Sequence, residues 1–407
     1  MNRKLLIPLI MLLVFSTVAF GAEQLVSIDG REYLFDVKFI EKVPFVNAEH
    51  FKELGLTVKR ADEAVILANA EVEIRFVLES NQVQVNDLAL TLAERAFTQE
   101  EKTYVPLSFV LETINYQVSF DGTHITALSN PEVVYPLKTQ EGYVIGEDVK
   151  SVISLAPGVT EKLFALGVGD RIKGRTTYCN YPAEVGNIPL VGTLDEPDLE
   201  LMLSLEPDAV IAETHFKEEI LKQLKAAGIM TIARKSPEDV SGIYSYMLDL
   251  GMLFNKNYEA RALVASMKSK AARTEYILQD IPLEDRPTAY YVVGTGQWGE
   301  YTAGRDTFIS RLIALAGAVN VADDVEGWSY SLERLIEHDP DYIFGNDFNL
   351  DTMLANDNYR VLSALTGKNY LVIDQDVIER AAPRALDEGL RVLVGLFHPD
   401  RVDRLGF

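Results

Sequence analysis

The sequence predicts an α/β fold: two similar α/β lobes joined by one long helix, preceded by a small duplicated α+β domain. Three observations lead there. Two distant segments repeat the same helix-to-strand unit, Asp198–Ile211 and Ser331–Phe344, each with a Pro-Asp pair before an apolar strand. Between them lies a long stretch with helical periodicity, and ahead of both a pattern of hairpin, Val-Pro, helix and strand occurs twice.

The chain opens with Asn2-Arg3-Lys4, an apolar run from Leu5 to Val14 broken only by Pro8, and small residues at Ala19 and Gly21. This is the layout of a signal peptide over 1–21, with an apolar stretch too short to be a good span of about 20 residues. An exported protein, in a periplasm or at the cell surface, is therefore expected. Cys179 is the only cysteine, so neither an internal disulfide nor a lipid-modified cysteine at the cleavage site is expected.

Residues 22–128 alternate short strands with turn signals. Leu25–Ile28 turns through Asp29-Gly30 into Tyr33–Phe35, a favoured hairpin pair. Val43-Pro44, a helical stretch over 48–54 and Leu56–Val58 follow. Val83–Val85, Val105-Pro106, a helix over 108–114 and Tyr116–Val118 form the second copy. The run Val105-Pro106-Leu107-Ser108-Phe109-Val110-Leu111-Glu112 resembles the signature of the copper-amine-oxidase N-terminal-like, or stalk, domain of bacterial surface proteins, with Ser108 where arginine is usual. The resemblance implies a spacer or attachment module. It implies no copper, because His50 and His124 have no ligand spacing.

Residues 129–148 have the composition of a linker. From 149 to 407 strand and helix signals alternate: lobe 1 over 149–250, the long helix over 257–279, lobe 2 over 285–407. In lobe 1, Val152–Leu155 reads as a buried strand, Pro157-Gly158 as a turn and 160–167 as a short helix stopped by Gly167. At about 1.5 Å per residue the long helix spans roughly 30 Å, enough to connect two lobes through a stiff hinge.

The order Val152–Pro157, Tyr178-Cys179-Asn180-Tyr181-Pro182, Val191-Gly192-Thr193 and Glu379-Arg380-Ala381-Ala382-Pro383-Arg384 resembles the helical-backbone class of periplasmic binding proteins. That family includes vitamin B12-binding and ferric-siderophore-binding proteins, and the resemblance runs from Val152 to about Leu396. It implies a ligand held between the lobes and delivered to the permease of an ABC importer, with no enzymatic turnover and no resident cofactor. It further implies that Glu200 and Glu333, in the first turns of matching helices, meet arginines of the permease. Two carboxylates on separate rigid lobes fix both position and orientation on a basic surface, whereas each alone also favours its helix N-terminus by about 0.3–1 kcal/mol.

The loops expected to line the cleft are aromatic: Tyr178 and Tyr181, His215 and Phe216 in lobe 1, then Trp298, Tyr301 and Trp328 in lobe 2. A broad apolar ligand with a polar rim suits them. A corrinoid similar to cobalamin is the first expectation, from the Tyr-Pro loop, Trp328 at the family's tryptophan position, and Asp376 with Arg380 in the closing run. Leu194 stands where B12-binding members carry a tryptophan, so haem and ferric siderophores stay open; Arg175, Arg305, Arg380 and Arg384 are arginines a siderophore would use, though Arg380 and Arg384 also suit structural ion pairs. A surface structural or adhesion protein that has kept the binding fold is the alternative from another class.

A net charge of -23 argues against a nucleic-acid partner. A monomer is expected. Gly294-Thr295-Gly296-Gln297-Trp298-Gly299 matches the dinucleotide fingerprint in letters, but the next helix is expected only after Asp306, too late for its N-terminus to meet a pyrophosphate. The five histidines are scattered, and no zinc motif or nucleophile elbow occurs.

Overall fold

The computed structural model describes residues 22–407 apart from 123, 139–141, 147, 215, 297 and 298. The signal-peptide reading of 1–21, His215 and Trp298 lie outside the described residues.

The N-terminal module is built mainly of strands. A seven-stranded sheet carries Ala22–Ile28, Arg31–Ile40, Val43–Asn47 and Lys102–Pro106 at its centre, and a five-stranded meander runs from Thr57–Ala61 to Leu88–Thr91. Asp29 (φ 50) and Gly30 (φ 77) are both left-handed, as the tight hairpin requires. The two copies meet where Val43–Asn47 pairs antiparallel with Lys102–Pro106, Val46 opposite Val105. The equivalence differs from the one the Val-Pro pairs suggest. Asn47 and Pro106 each stand immediately before a helical turn, Ala48–Leu54 and Leu107–Thr113, so Val46-Asn47 is the partner of Val105-Pro106. The two copies start their helices by different means: Asn47 accepts from the Glu49 N–H at 3.3 Å, whereas Pro106 offers a restricted backbone.

Both lobes contain a four-stranded parallel sheet with the same strand order. In lobe 1 it runs Ile172–Arg175, Val152–Ser154, Ala209–Glu213, Met230–Arg234; in lobe 2, Val319–Asn320, Thr288–Val292, Tyr342–Gly345, Tyr370–Val372. The repeated Pro-Asp has a structural reason. Asp208 accepts from the backbone N–H of Ser151 at 2.8 Å and from its hydroxyl at 3.0 Å; Asp341 does the same to Thr288, both at 2.8 Å. Each aspartate thus ties the start of its own strand to the start of the lobe's first strand.

Local readings change at two places. Pro157-Gly158 is the first turn of a helix, Pro157–Ala165, because proline is pre-organised for that position. The helix closing lobe 1 continues from Val240 to Leu253. The stretch after the module is anchored: Leu137–Lys138 pairs with Val144–Ile145, and the Tyr135 hydroxyl donates to the Met252 carbonyl at 2.5 Å.

The long helix, Asn257–Leu278, is buried on more than one side. Ala260, Leu263, Val264, Met267 and Ile277 belong to the core shared by the lobes, while Ala262 and Ala265 belong to the core of the N-terminal module. A helix apolar over so much of its circumference is one that is enclosed, and alanine lets the module's backbone come close. Polar contacts follow the same line: Ser266 donates to the Thr91 carbonyl at 2.8 Å, Ser269 to Glu94 at 2.5 Å, and Lys268 pairs with Glu112 at 3.1 Å. The module also reaches the chain's end, where Asn81 donates to the Gly406 carbonyl at 2.6 Å. It is packed along the hinge helix, not held off as a spacer.

Candidate functional site

The loops that follow the strands of the two lobes meet along one line. From lobe 1 come Glu161, on the helix after the first strand, and the loop Tyr178–Pro182; from lobe 2 come Asp376, Arg380 and Arg384. Arg380 donates to Glu161 at 2.6 Å and pairs with Asp376 at 2.7 Å; Arg384 donates to Glu161 at 3.1 Å. Asn180 donates to Asp376 at 2.7 Å, and the Arg384 guanidinium lies 3.9 Å from the centre of the Tyr181 ring. Burial raises the Glu161 carboxyl above its usual range, against the opposing pull of Arg380 and Arg384. Asp376 and Arg380, expected at the ligand, here bridge the two lobes.

Arg175 shapes the tyrosine loop from beneath, donating to the Val185 carbonyl at 2.8 Å and the Cys179 carbonyl at 3.0 Å. Cys179 is buried and accepts from the Thr160 hydroxyl at 3.0 Å, a packed side chain. Above this support Tyr178 is 51% exposed and Tyr181 37%.

A second aromatic cluster stands on lobe 2. Glu300–Tyr301 pairs antiparallel with Ser329–Tyr330, and the Thr302 N–H donates to the Trp328 carbonyl at 2.9 Å, so Tyr301 and Trp328 share one ribbon. Trp328 is 48% exposed. Under the ribbon Glu300 is buried, accepting from the Tyr359 hydroxyl at 2.6 Å and the Thr295 hydroxyl at 2.9 Å. The glycine loop returns on itself, the Tyr301 N–H donating to the Gly294 carbonyl at 2.8 Å, and the next helix begins at Phe308 with Thr307 as its cap. The next helix thus begins after Asp306, as the sequence implied.

Phe216 packs on the smaller core of lobe 1. On lobe 2, Phe348 escaped the sequence reading and is 75% exposed, in the first turn of the helix Asp347–Ala355. Both lie just after the strand that follows Pro-Asp, but at the repeat's spacing of 133 positions Phe216 falls opposite Asn349, one residue away. A buried ion pair was also missed: Lys162 meets Glu213 at 2.9 Å under the lobe 1 loops. Arg305 pairs with Glu326 at the surface at 2.7 Å.

Glu200 and Glu333 occupy the same position, second in the helices Leu199–Ser204 and Leu332–His338. Asp198 caps the first by accepting from Leu201 N–H at 3.0 Å, and Ser331 the second from Arg334 N–H at 3.2 Å. Both glutamates are exposed, and neither has an ion-pair partner among the described residues. Among the described residues no group of three or more His, Cys, Asp or Glu could hold a metal ion, and no helix is long and apolar enough to cross a membrane.

Residues 152–377 match the family model described as periplasmic binding protein, and residues 27–128 that of the copper amine oxidase N-terminal domain. The ABC transporter substrate-binding lipoprotein YvrC of Bacillus subtilis is 28% identical over 267 residues, 64% of this chain and 84% of that protein. The cobalamin-binding protein of Halobacterium salinarum is 25% identical over 281 residues, 65% of this chain and 74% of its own. Among solved structures, the apo periplasmic haem-binding protein RhuT of Roseiflexus matches with a TM-score of 0.55 at 23% identity, covering 64% of this chain and 100% of that one. That likeness concerns the fold alone.

Proposed function

The chain belongs to the periplasmic binding protein family, and from this premise we propose that it captures a corrinoid between its lobes and delivers it to an ABC importer. It is a binding protein, not an enzyme. The observation that carries the ligand reading is the exposure of aromatic side chains on loops of both lobes, Tyr178 on lobe 1 with Tyr301 and Trp328 on lobe 2. Exposed aromatics on loops of both lobes offer broad apolar contact to a ligand held between them. The cobalamin-binding relative supports the same ligand class. On this reading the protein works as a monomer outside the cytoplasmic membrane, with Glu200 and Glu333 as its contacts to the permease.

A cobalamin titration of the mature protein tests it. The chain has two tryptophans, so fluorescence reports directly on the lobe 2 loops. Saturable quenching that is reduced in Trp328→Ala is expected. A protein that ignores cobalamin but binds haem or a ferric siderophore overturns the corrinoid reading and leaves the transport reading standing.

A further inference from the structure

Among the described residues Phe348 is the most exposed large apolar side chain, at 75%. The helix that carries it, Asp347–Ala355, does not need it for packing: Leu350 and Met353 supply the buried face, in a core with Tyr290, Val292 and Ile343. That helix starts at the carboxyl end of Tyr342–Gly345, on the side of a parallel sheet where open α/β folds bind their ligands. Two asparagines fix where its first turn stands. Asn346 donates to the Gln375 side chain at 2.5 Å, and Gln375 immediately precedes Asp376, which accepts from Asn180 of lobe 1 at 2.7 Å. Asn349 is buried and donates to the Val293 carbonyl at 2.9 Å, while the Val293 N–H donates to the Tyr301 carbonyl at 2.9 Å. The turn bearing Phe348 is therefore tied on one side to the bridge between the lobes and on the other to the root of the ribbon that carries Tyr301 and Trp328. Thr352 follows one helical turn later on the same face and stands against the glycine loop, where a Cβ at Gly296 would lie 3.9 Å from its methyl group.

We propose that Phe348 is a ligand contact that sets specificity on the lobe 2 side of the cleft, an inference that rests on the reading of this chain as a binding protein for a broad apolar ligand. A phenyl ring left in water contributes nothing to the fold, and a ligand that covers it gains the free energy of its apolar area. Single exposed apolar residues are common on protein surfaces. Phe348 differs in its placement, because side-chain hydrogen bonds from Asn346 and Asn349 pin its turn to the two parts of lobe 2 nearest the ligand reading. A ring presented on a fixed turn loses little freedom when it is covered. It favours a ligand with apolar groups on its rim, such as a methylated macrocycle, over a compact hydrophilic chelate.

The test titrates the mature chain with cyanocobalamin, hemin and ferrichrome, first unsubstituted and then as variants with whichever ligand it binds. Phe348→Ala should weaken that binding about tenfold, the worth of one covered aromatic ring, with the unfolding midpoint unchanged. Phe348→Tyr should restore the affinity, and Leu128→Ala, at an exposed apolar position of the N-terminal module, should leave it alone. A second readout does not depend on affinity. Cys179 is buried, so in Phe348→Cys the introduced thiol is the one open to iodoacetamide, and saturating ligand should suppress its alkylation. Unchanged affinity in Phe348→Ala, alkylation that ligand does not slow, or an affinity loss matched by a lowered midpoint overturns the contact and leaves the binding reading standing. Failure of the corrinoid reading shows separately, as an unsubstituted protein that binds hemin or ferrichrome and not cyanocobalamin. A protein that binds none of the three overturns both.

Discussion

Glu161 of lobe 1 and Arg380 of lobe 2 meet at 2.6 Å, and the same carboxylate oxygen accepts from Arg384 at 3.1 Å. Both lobes thus lean on one buried acid, beside the Asn180–Asp376 bond that also crosses between them. Removing one partner of a buried pair costs more than the pair itself contributes, since the remaining charge is stranded. Glu161→Leu removes both acceptor oxygens, strands Arg384 and leaves Arg380 with Asp376 and the Tyr178 carbonyl. It should lower the unfolding free energy by about 3 kcal/mol in urea titrations. A change within about 0.5 kcal/mol, the range of ordinary surface substitutions, would mean that the junction is held by packing.

The module's grip on the hinge helix gives a second expectation. Ala265 is 4% exposed and sits in the module's core. Ala265→Leu overfills that contact and should cost about 1–3 kcal/mol. It should also open residues 129–148 to limited proteolysis. Ala272→Leu, on an exposed position of the same helix, is the control and should stay within about 0.5 kcal/mol. Equal protease resistance in both variants would show that the module's contact with the helix is not what holds it.

How far these contacts could be read beforehand depends on how far they reach along the chain. The two lobes were legible because Asp198 and Ser331, Glu200 and Glu333, Asp208 and Asp341 recur at matching spacings, and each pair obeys local rules of capping and strand start. The exposed ribbon residues Tyr301 and Trp328 were legible as aromatics on loops. Arg380 was not: Asp376 lies one helical turn before it, but Glu161 is 219 positions away, and no local pattern says which partner wins. Ala262 and Ala265 read as ordinary helix formers, since alanine has the same propensity whether it faces water or another domain. The Val43-Pro44 pair misled for a related reason. A dipeptide match ignored what starts the helix, and that task falls to Asn47 in one copy and Pro106 in the other.

The pH dependence has a definite sign. Burial raises the carboxyls of Glu94, Glu112, Glu161 and Glu379, in Glu112 against the pull of Lys268 and in Glu379 against the Tyr291 hydroxyl. Groups with raised folded values bind protons more tightly in the native state, so stability falls as pH rises through those values and grows as pH drops toward the unfolded value of 4.5. The Asp239 carboxyl is held low by the Gly242 N–H and the Ser241 hydroxyl; its contribution is lost only as pH falls below its ordinary 3.8. Relief of self-repulsion in a chain of net charge -23 acts in the same direction as the buried glutamates. The unfolding midpoint should therefore rise from neutrality to about pH 5 and fall in stronger acid. A midpoint that declines steadily below pH 7 would contradict the raised carboxyls.

On the proposed reading, Glu200 and Glu333 serve docking to the permease and not ligand capture. Each stands in the first turn of a capped helix on its own lobe, exposed and unpaired among the described residues. Helix stability accounts for an acid at either site, but not for its recurrence at the same position in both lobes. Because the lobes are fixed to each other by Glu161, Arg380 and the long helix, the distance between the two carboxylates is fixed as well, and a rigid pair binds a two-fold basic surface with little loss of freedom. Reversing one charge removes an attraction and adds a repulsion, which costs encounter rate and register together. Glu200→Lys and Glu333→Lys should each weaken stimulation of the permease's ATPase by about tenfold, and the double variant should abolish it. Cobalamin affinity and unfolding midpoint should stay within error, since neither residue lies at the lobe junction. Undiminished stimulation in the double variant would return both glutamates to the role of helix N-terminal acids.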